Sequence, residues 1–239
     1  MRDGWESQAR SWAEFARTPG HDQTHEDINL PALLRLLPPS RGLTLDLGCG
    51  EGRLGRALQS LGYQVAGVDA APTMVRLAAS HPAPEPAVLA DAAALPFRDE
   101  AFGLVVAYMS LHDMDQMPEA VAEAARVLTR GGRLCAAIPH PINSAGSFQS
   151  RDPDAPFTIE GSYLDQAEAD WEADRGGIRM TFHSEHRPLE AYSRALEEAG
   201  LLIEALREVR APDDMVARQP TKRRWQRVPL ILHLRAIKP

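Results

Sequence analysis

This sequence predicts an α/β fold built on a doubly wound parallel sheet, and three observations carry the prediction. Short apolar runs alternate with helical stretches from Leu43 to Ile138. A glycine turn, Gly48-Cys49-Gly50-Glu51-Gly52, joins the first run to the helical stretch behind it. Aspartates stand at the ends of three consecutive runs: Asp46, Asp69 and Asp91. The chain has 239 residues, enough for one such domain with lid elements added.

Each element follows from local pattern. Trp5, Ala9, Trp12, Ala13 and Phe15 fall along one side of a helix that Pro19-Gly20 end, and Ile28 to Leu37 carries a second helical pattern stopped by Pro38-Pro39. Leu43 to Leu47 is the first strand. After the glycine turn a helical stretch runs to Leu61, and Gln64 to Val68, ending at Asp69, completes a β-α-β unit. Pro72 suits the first turn of the next helix, where a missing N–H does no harm, and that helix runs to about Ser80. Pro82, Pro84 and Pro86 mark a connector, Ala87 to Ala90 the third strand, and Phe102 to Met109 a fourth that is nearly all apolar and so buried on both faces. Pro118 opens a helix that Gly131-Gly132 close, and Arg133 to Ile138 is the fifth strand. From His140 to His186 the pattern breaks. Proline, glycine, acids and the isolated aromatics Phe148, Phe157, Tyr163 and Trp171 follow no period there, which reads as a lid or substrate loop. A helix from Pro188 to Ala199, a strand from Leu201 to Val209, a charged connector and a last strand from Val228 to Ile237 complete the chain.

Composition narrows the function. Hydrophobic residues make up 44% and charged residues 25%, the balance of a folded globular protein, and disorder over most of the chain is excluded. Lys and Arg number 26 against 33 Asp and Glu, a formal net charge of -7, so no global positive field draws a polyanion and nucleic acid is disfavoured as a partner. No apolar run is long enough for membrane insertion and the first residues are charged, so the expectation is a cytoplasmic protein. Two cysteines, Cys49 and Cys135, make neither a disulfide framework nor a cysteine-rich zinc site.

The glycine turn lets backbone approach a ligand beside a helix N-terminus. By itself it would equally serve a dinucleotide, or be a tight turn with no ligand. Asp46 argues against a pyrophosphate, since two like charges would share a poorly solvated cleft, and suits a cationic group such as an ammonium. Asp69 stands where an acid can accept both hydroxyls of a ribose. Asp91, followed by small Ala92, can pair with an adenine amino group. Each acid alone could be a helix N-cap; three at consecutive strand ends point to a ligand.

The segments LDLGCGEGRLG, VAGVDAAPTMV, LADAAALPFRDEAFGLVVAYMSLHDM and RVLTRGGRLCAAIP, in this order and spacing, closely resemble the class I S-adenosylmethionine-dependent methyltransferases, nearest to the branch with ubiquinone and menaquinone biosynthesis enzymes and many small-molecule methyltransferases. The resemblance implies a Rossmann-like sheet of seven strands with the last antiparallel. It divides the chain into an N-terminal helical cap (1–40), a cofactor-binding core (41–139), a lid insertion (140–186) and the C-terminal part of the sheet (187–239). By it, Asp46, Gly48, Cys49 and Gly50 surround the methionine part of the cofactor and Asp69 holds the ribose. Ala70 and Met74 flank the adenine, Asp91 and Ala92 meet its amino group, and Met109 lies near the sulfonium.

Methyl transfer is an in-line displacement that needs a base only where the acceptor carries a proton to lose. His112, after the fourth strand, is the first candidate for base or orienting group; His140, after the fifth, is the second. His183 and His186 close the insertion and read as structural. His21-Asp-Gln-Thr-His25 has the spacing of a helical zinc pair, but Asp replaces the usual Glu and no third ligand is evident, so no metal is expected. Arg207 to Arg227 reads as a charged hairpin, solvated or touching an anionic substrate. The Asn/Asp-Pro-Pro-Tyr/Phe signature of nucleic-acid base methyltransferases does not follow the fourth strand, and Cys135 is in no Pro-Cys pair. The expectation is methylation of a small organic acceptor from S-adenosylmethionine, leaving S-adenosylhomocysteine, with oxygen favoured over carbon and nitrogen. Trp5, Trp12, Phe15, Phe148, Phe157, Tyr163 and Trp171 are candidate pocket walls. The alternatives are an RNA or protein methyltransferase, a nucleoside- or NAD(P)-binding protein, and a cofactor-binding regulator without catalysis.

Overall fold

The computed structural model describes residues 2–39, 41–81, 83, 86–168, 171–175 and 177–239, with the side chains of 171, 173 and 175 excepted. Pro82 and Pro84 of the expected connector, and the Trp171 side chain as a pocket wall, lie outside the described residues.

The chain begins with α1 (Arg2–Arg17), a π-helical turn (Thr24–Asn29) and α2 (Leu30–Leu36). Then come β1 (Leu43–Leu47), α3 (Arg53–Ser60), β2 (Gln64–Asp69), α4 (Pro72–Ala79), β3 (Ala87–Leu89), β4 (Phe102–Tyr108), α5 (Met117–Val127) and β5 (Leu128–Pro139). After the insertion follow α7 (Leu189–Glu198), β12 (Leu202–Val209), α8 (Asp213–Arg218), a 3-10 segment (Pro220–Gln226) and β13 (Ile231–Ile237). The insertion itself holds α6 (Pro141–Ser144), β6 (Gly146–Phe148), β7 (Phe157–Ile159), β8 (Ala167–Glu168), β9 (Trp171–Arg175), β10 (Ile178–Phe182) and β11 (Glu185–His186).

Seven strands form one sheet in the order β12-β13-β5-β4-β1-β2-β3, and β13 runs antiparallel to both of its neighbours while the remaining pairs are parallel. Alternation along β4 sorts its side chains between two layers. Leu104, Val106 and Tyr108 pack with Leu33, Leu54 and Leu58 of α2 and α3, while Val105 and Ala107 pack with Val121, Ala124 and Leu196 of α5 and α7. Burial on both faces explains why β4 reads as a continuous apolar run. Strand order runs outward from β1 in both directions, and this topological switch places a cleft beyond the carboxyl ends of β1 and β4.

Three local expectations are corrected. The helix after Pro118 ends at Val127, before Gly131-Gly132, because Leu128 is already extended (φ -70°, ψ 137°). The glycines serve a bulge instead: Phe102 faces Leu128 but Leu104 faces Arg133, and Gly131 supplies the left-handed residue (φ +74°). The insertion is not structureless. It folds into the antiparallel pairs β6/β7, β9/β10 and β8/β11, whose strands of two to five residues are too short to display alternation in sequence. The charged connector is helical, α8 followed by the 3-10 segment, where a hairpin was expected.

Candidate active site

The glycine turn is held by its own backbone. The N–H groups of Gly48 and Cys49 both donate to the Val68 carbonyl, at 2.8 and 2.9 Å, which pins the turn to the end of β2. Gly48 has φ +76°, and a Cβ there would lie 2.5 Å from Cβ of Ser110, so only glycine fits. Ser110 is itself fixed by donating to the Leu47 carbonyl at 2.6 Å. Asp69 ties the same turn from the other side, accepting from the Gly50 N–H at 2.8 Å and the Ala71 N–H at 2.9 Å. Each of its oxygens retains a lone pair for a further donor. Burial raises the Asp69 carboxyl above its ordinary value.

Asp46 is 1% exposed, and its Oδ2 has no hydrogen-bond partner. Burial, reinforced by the neighbouring Asp69 charge, pushes its carboxyl up to about 7, against the pull of the Gly55 backbone and the Arg53 guanidinium. At the other strand ends, Asp91 is exposed and accepts from the Ala93 N–H at 2.9 Å, and Met109 has φ 55°, a strained conformation for a residue with a side chain. Cys49 is buried beside the turn.

All ten residues that sequence reasoning assigned to the cofactor line a single cleft at these strand ends. Trp5 and Trp12 of α1 close it from above, packing with Met74 and Ala71. Glu51, which sequence reasoning passed over, is buried and bonded to Arg17 and Arg56 at 2.7 Å each, so it fastens α1 onto α3 at the rim.

A second, larger cavity of about 810 Å³ adjoins the first, within the range of small-ligand pockets. Trp5, Trp12, Arg53, Tyr108, Met109 and Asp113 line both. The insertion supplies Phe148 and Phe182, and Phe182 meets Trp5 and Trp12 edge-on at 6.2 and 5.8 Å. Of the expected walls, Trp5, Trp12, Phe15 and Phe148 line this cavity, whereas Phe157 packs behind Phe148 and the Tyr163 hydroxyl accepts from the Leu189 N–H.

His112 lines the larger cavity from a 3-10 turn (Leu111–Asp113). Burial and the Arg187 guanidinium push it down to about 3, so it is neutral at pH 7. Its Nδ1 is buried without a partner, and its Nε2 lies 3.2 Å from Oδ1 of Asp113, an oxygen that itself has no aligned donor. Burial raises the Asp113 carboxyl well above its ordinary value. Arg187 behind them bonds Glu185 and the Met114 carbonyl.

His140 lines neither cavity. Its Nδ1 accepts from the Ile142 N–H at 3.1 Å as the cap of α6, and its Nε2 faces Glu208 at 3.1 Å, so both ring nitrogens are occupied with local structure. His186 likewise bonds Ser144 and the Tyr163 carbonyl. His21 and His25 part company: His21 packs on Phe15, while Nδ1 of His25 bonds the Tyr108 hydroxyl at 2.7 Å in the cavity wall. Asp22 accepts from Arg53 at 2.8 Å, and Arg53 lies 4.8 Å from the Trp12 ring. Sequence reasoning missed Tyr108 and His25 as a pair; the signal was a phenol at the buried end of an apolar strand, which requires a partner.

Comparison with known proteins decides what this architecture is. Residues 45–136 match the methyltransferase domain model. A crystal structure of an S-adenosylmethionine-dependent methyltransferase from Mesorhizobium loti superposes with a TM-score of 0.75 at 25% identity, covering 91% of this chain and 100% of that one. The chain holds a methyltransferase domain and has the fold of the class I S-adenosylmethionine-dependent methyltransferases. Among curated relatives of this methyltransferase, a malonyl-[acyl-carrier protein] O-methyltransferase from Enterobacter lignolyticus is 32% identical over 126 residues, 51% of this chain and 50% of that protein. A ubiquinone biosynthesis O-methyltransferase from Methylobacterium is 30% identical over 172 residues, 69% and 62% respectively. The methyltransferase thus aligns with about half the length of the first relative. No helix among the described residues is long and apolar enough to cross a membrane.

The cleft fits the family's cofactor, S-adenosylmethionine. The unpartnered Oδ2 of Asp46 is a buried acceptor that a cation would satisfy.

Proposed function

We propose that the protein transfers a methyl group from S-adenosylmethionine to a small organic acceptor, with an oxygen as the favoured methyl-accepting atom. The observation that carries this reading is the pair of cavities sharing Trp5, Trp12, Arg53, Tyr108, Met109 and Asp113, which sets a ligand in one beside a ligand in the other. The cofactor supplies an electrophilic methyl group on a sulfonium. In this reading Asp46 takes the ammonium of its methionine part, Asp69 the ribose hydroxyls, and Asp91 with Ala92 the adenine amino group. Gly48, Cys49 and Gly50 give the backbone its close approach, Ala70 and Met74 flank the adenine, and Met109 sits beside the sulfur.

Catalysis in such a site comes mainly from alignment and from the exclusion of water. His112 takes the part of an orienting group. Neutral and lining the cavity, it helps to fix the acceptor's position, while its low basicity makes it a poor store for a full proton. His140 has no part in this reading. The hairpins of 140–186 act as a lid over the acceptor, and the two curated O-methyltransferases support oxygen as the target.

Calorimetric titration with S-adenosylmethionine, S-adenosylhomocysteine and NAD tests the cofactor, followed by an acceptor screen that reads S-adenosylhomocysteine formation. Micromolar binding of the first two and none of NAD is expected. Binding of NAD alone would overturn the reading.

A further inference from the structure

We infer that the larger cavity takes an acceptor bearing a carboxylate or phosphate, which the guanidiniums of Arg151 and Arg224 hold. The inference rests on the acceptor role proposed for that cavity and names the chemistry it selects.

Arg224 sits half-buried on the 3-10 segment after α8. Its Nη1 donates to the carbonyls of Thr221 at 2.8 Å and Arg151 at 3.3 Å, and its guanidinium carbon lies 5.7 Å from the Phe148 ring centre and 5.8 Å from that of Trp225. Those two rings meet edge-on at 4.9 Å. The guanidinium is therefore oriented by two carbonyls and two aromatic rings, a cost in side-chain freedom that solvent contact alone would not require. Arg151 brings a second cation to the same wall.

Carboxylates balance several other arginines nearby. Arg53 bonds Asp22, Arg187 bonds Glu185, and Arg223, one residue from Arg224, lies 3.7 Å from Asp154. Among the described residues neither Arg151 nor Arg224 has a carboxylate within ion-pair distance. Burial and the Arg151 charge both lower the Arg224 guanidinium from its ordinary value. Two like charges beside aromatic surface repel each other until an anion joins them, and guanidinium geometry matches the planar carboxylate and the phosphate alike. The chain as a whole carries a net charge of -7, so this positive pair is a local feature and not part of a basic field. Met109 and His112 line the same cavity, so one bound molecule can place its anion at the arginines and its reactive atom beside the cofactor cleft.

The test uses the full-length protein saturated with S-adenosylhomocysteine and three probes: a hydroxynaphthoate, the matching hydroxynaphthamide and naphthyl phosphate. Calorimetry should show at least one anionic probe binding roughly tenfold or more tighter than the amide, with the stronger anion identifying which group the site prefers. Arg224→Gln and Arg151→Gln should each erase that advantage while leaving amide binding unchanged, and Arg223→Gln should retain it. Equal binding of acid, phosphate and amide, binding of none, or an advantage that survives both substitutions would overturn the inference. Binding of S-adenosylhomocysteine, measured beforehand, separates the outcomes: if it is intact, only the anion site fails, and if it is absent, the methyltransferase reading fails.

Discussion

Replacing Asp46 by Asn tests the cleft through stability and affinity together. The carboxyl is raised from its ordinary 3.8 to about 7 by burial and by Asp69. Below the lower value folded and unfolded chains both hold the proton, and nothing is lost. Between the two values the unfolded chain releases it and the folded chain keeps it, so stability falls as pH rises, by about 1.4 kcal/mol per pH unit. Above about 7 the loss levels off at roughly 4 kcal/mol. Asn cannot ionise and escapes this loss, though its weaker acceptor for the Gly55 N–H returns about 1 kcal/mol. Urea unfolding of the cofactor-free protein should therefore show Asp46→Asn roughly 3 kcal/mol more stable at about pH 8, and nearly equal to the parent at about pH 5, with the urea dependence unchanged. The same variant should bind S-adenosylmethionine about ten- to a hundredfold more weakly, having lost a charge-assisted bond to the ammonium. A stability difference independent of pH, or undiminished cofactor affinity, would refute the reasoning.

Other outcomes follow from the same geometry. In the parent protein, cofactor affinity should fall by up to about tenfold per pH unit below about pH 7, as the ammonium must displace the Asp46 proton; calorimetry in buffers of different ionisation enthalpy would detect the released proton. Asp69→Ala should weaken the cofactor about ten- to a hundredfold and loosen the Gly50 N–H, visible as faster amide exchange in the glycine turn. His112→Ala should lower kcat more than it raises the Kd for S-adenosylhomocysteine; equal turnover would reduce His112 to packing. His140→Ala should cost about 1 kcal/mol of stability through the lost α6 cap and leave cofactor binding intact, which a thermal melt with and without S-adenosylhomocysteine would read.

Much of the cofactor cleft is local in sequence. The turn after β1 and the acids at the ends of β1, β2 and β3 lie within successive βα units, where strand direction and right-handed crossovers leave one side of the sheet for all of them. That is why ten residues chosen from spacing and family likeness line one cleft, and why Pro72 opens its helix where a missing N–H costs nothing. The bulge at Gly131 was not legible, because a glycine pair ends a helix or kinks a strand with the same local chemistry and only the pairing with β4 selects between them.

The acceptor cavity belongs to the tertiary structure. Its wall joins Trp12 and His25 to Tyr108 and His112, Phe148, Phe182 and Arg224, from five separated stretches of chain. His112 and His140 both follow strands of the same sheet, yet one turns into the cavity and the other caps a helix. The physical reason is that periodicity reports which face of an element is apolar, while the partner of a single polar side chain is set by long-range packing. The sequence by itself determined the sheet, its glycine turn and the acids beside it; only the tertiary structure decided which histidines, aromatics and arginines would face the second ligand.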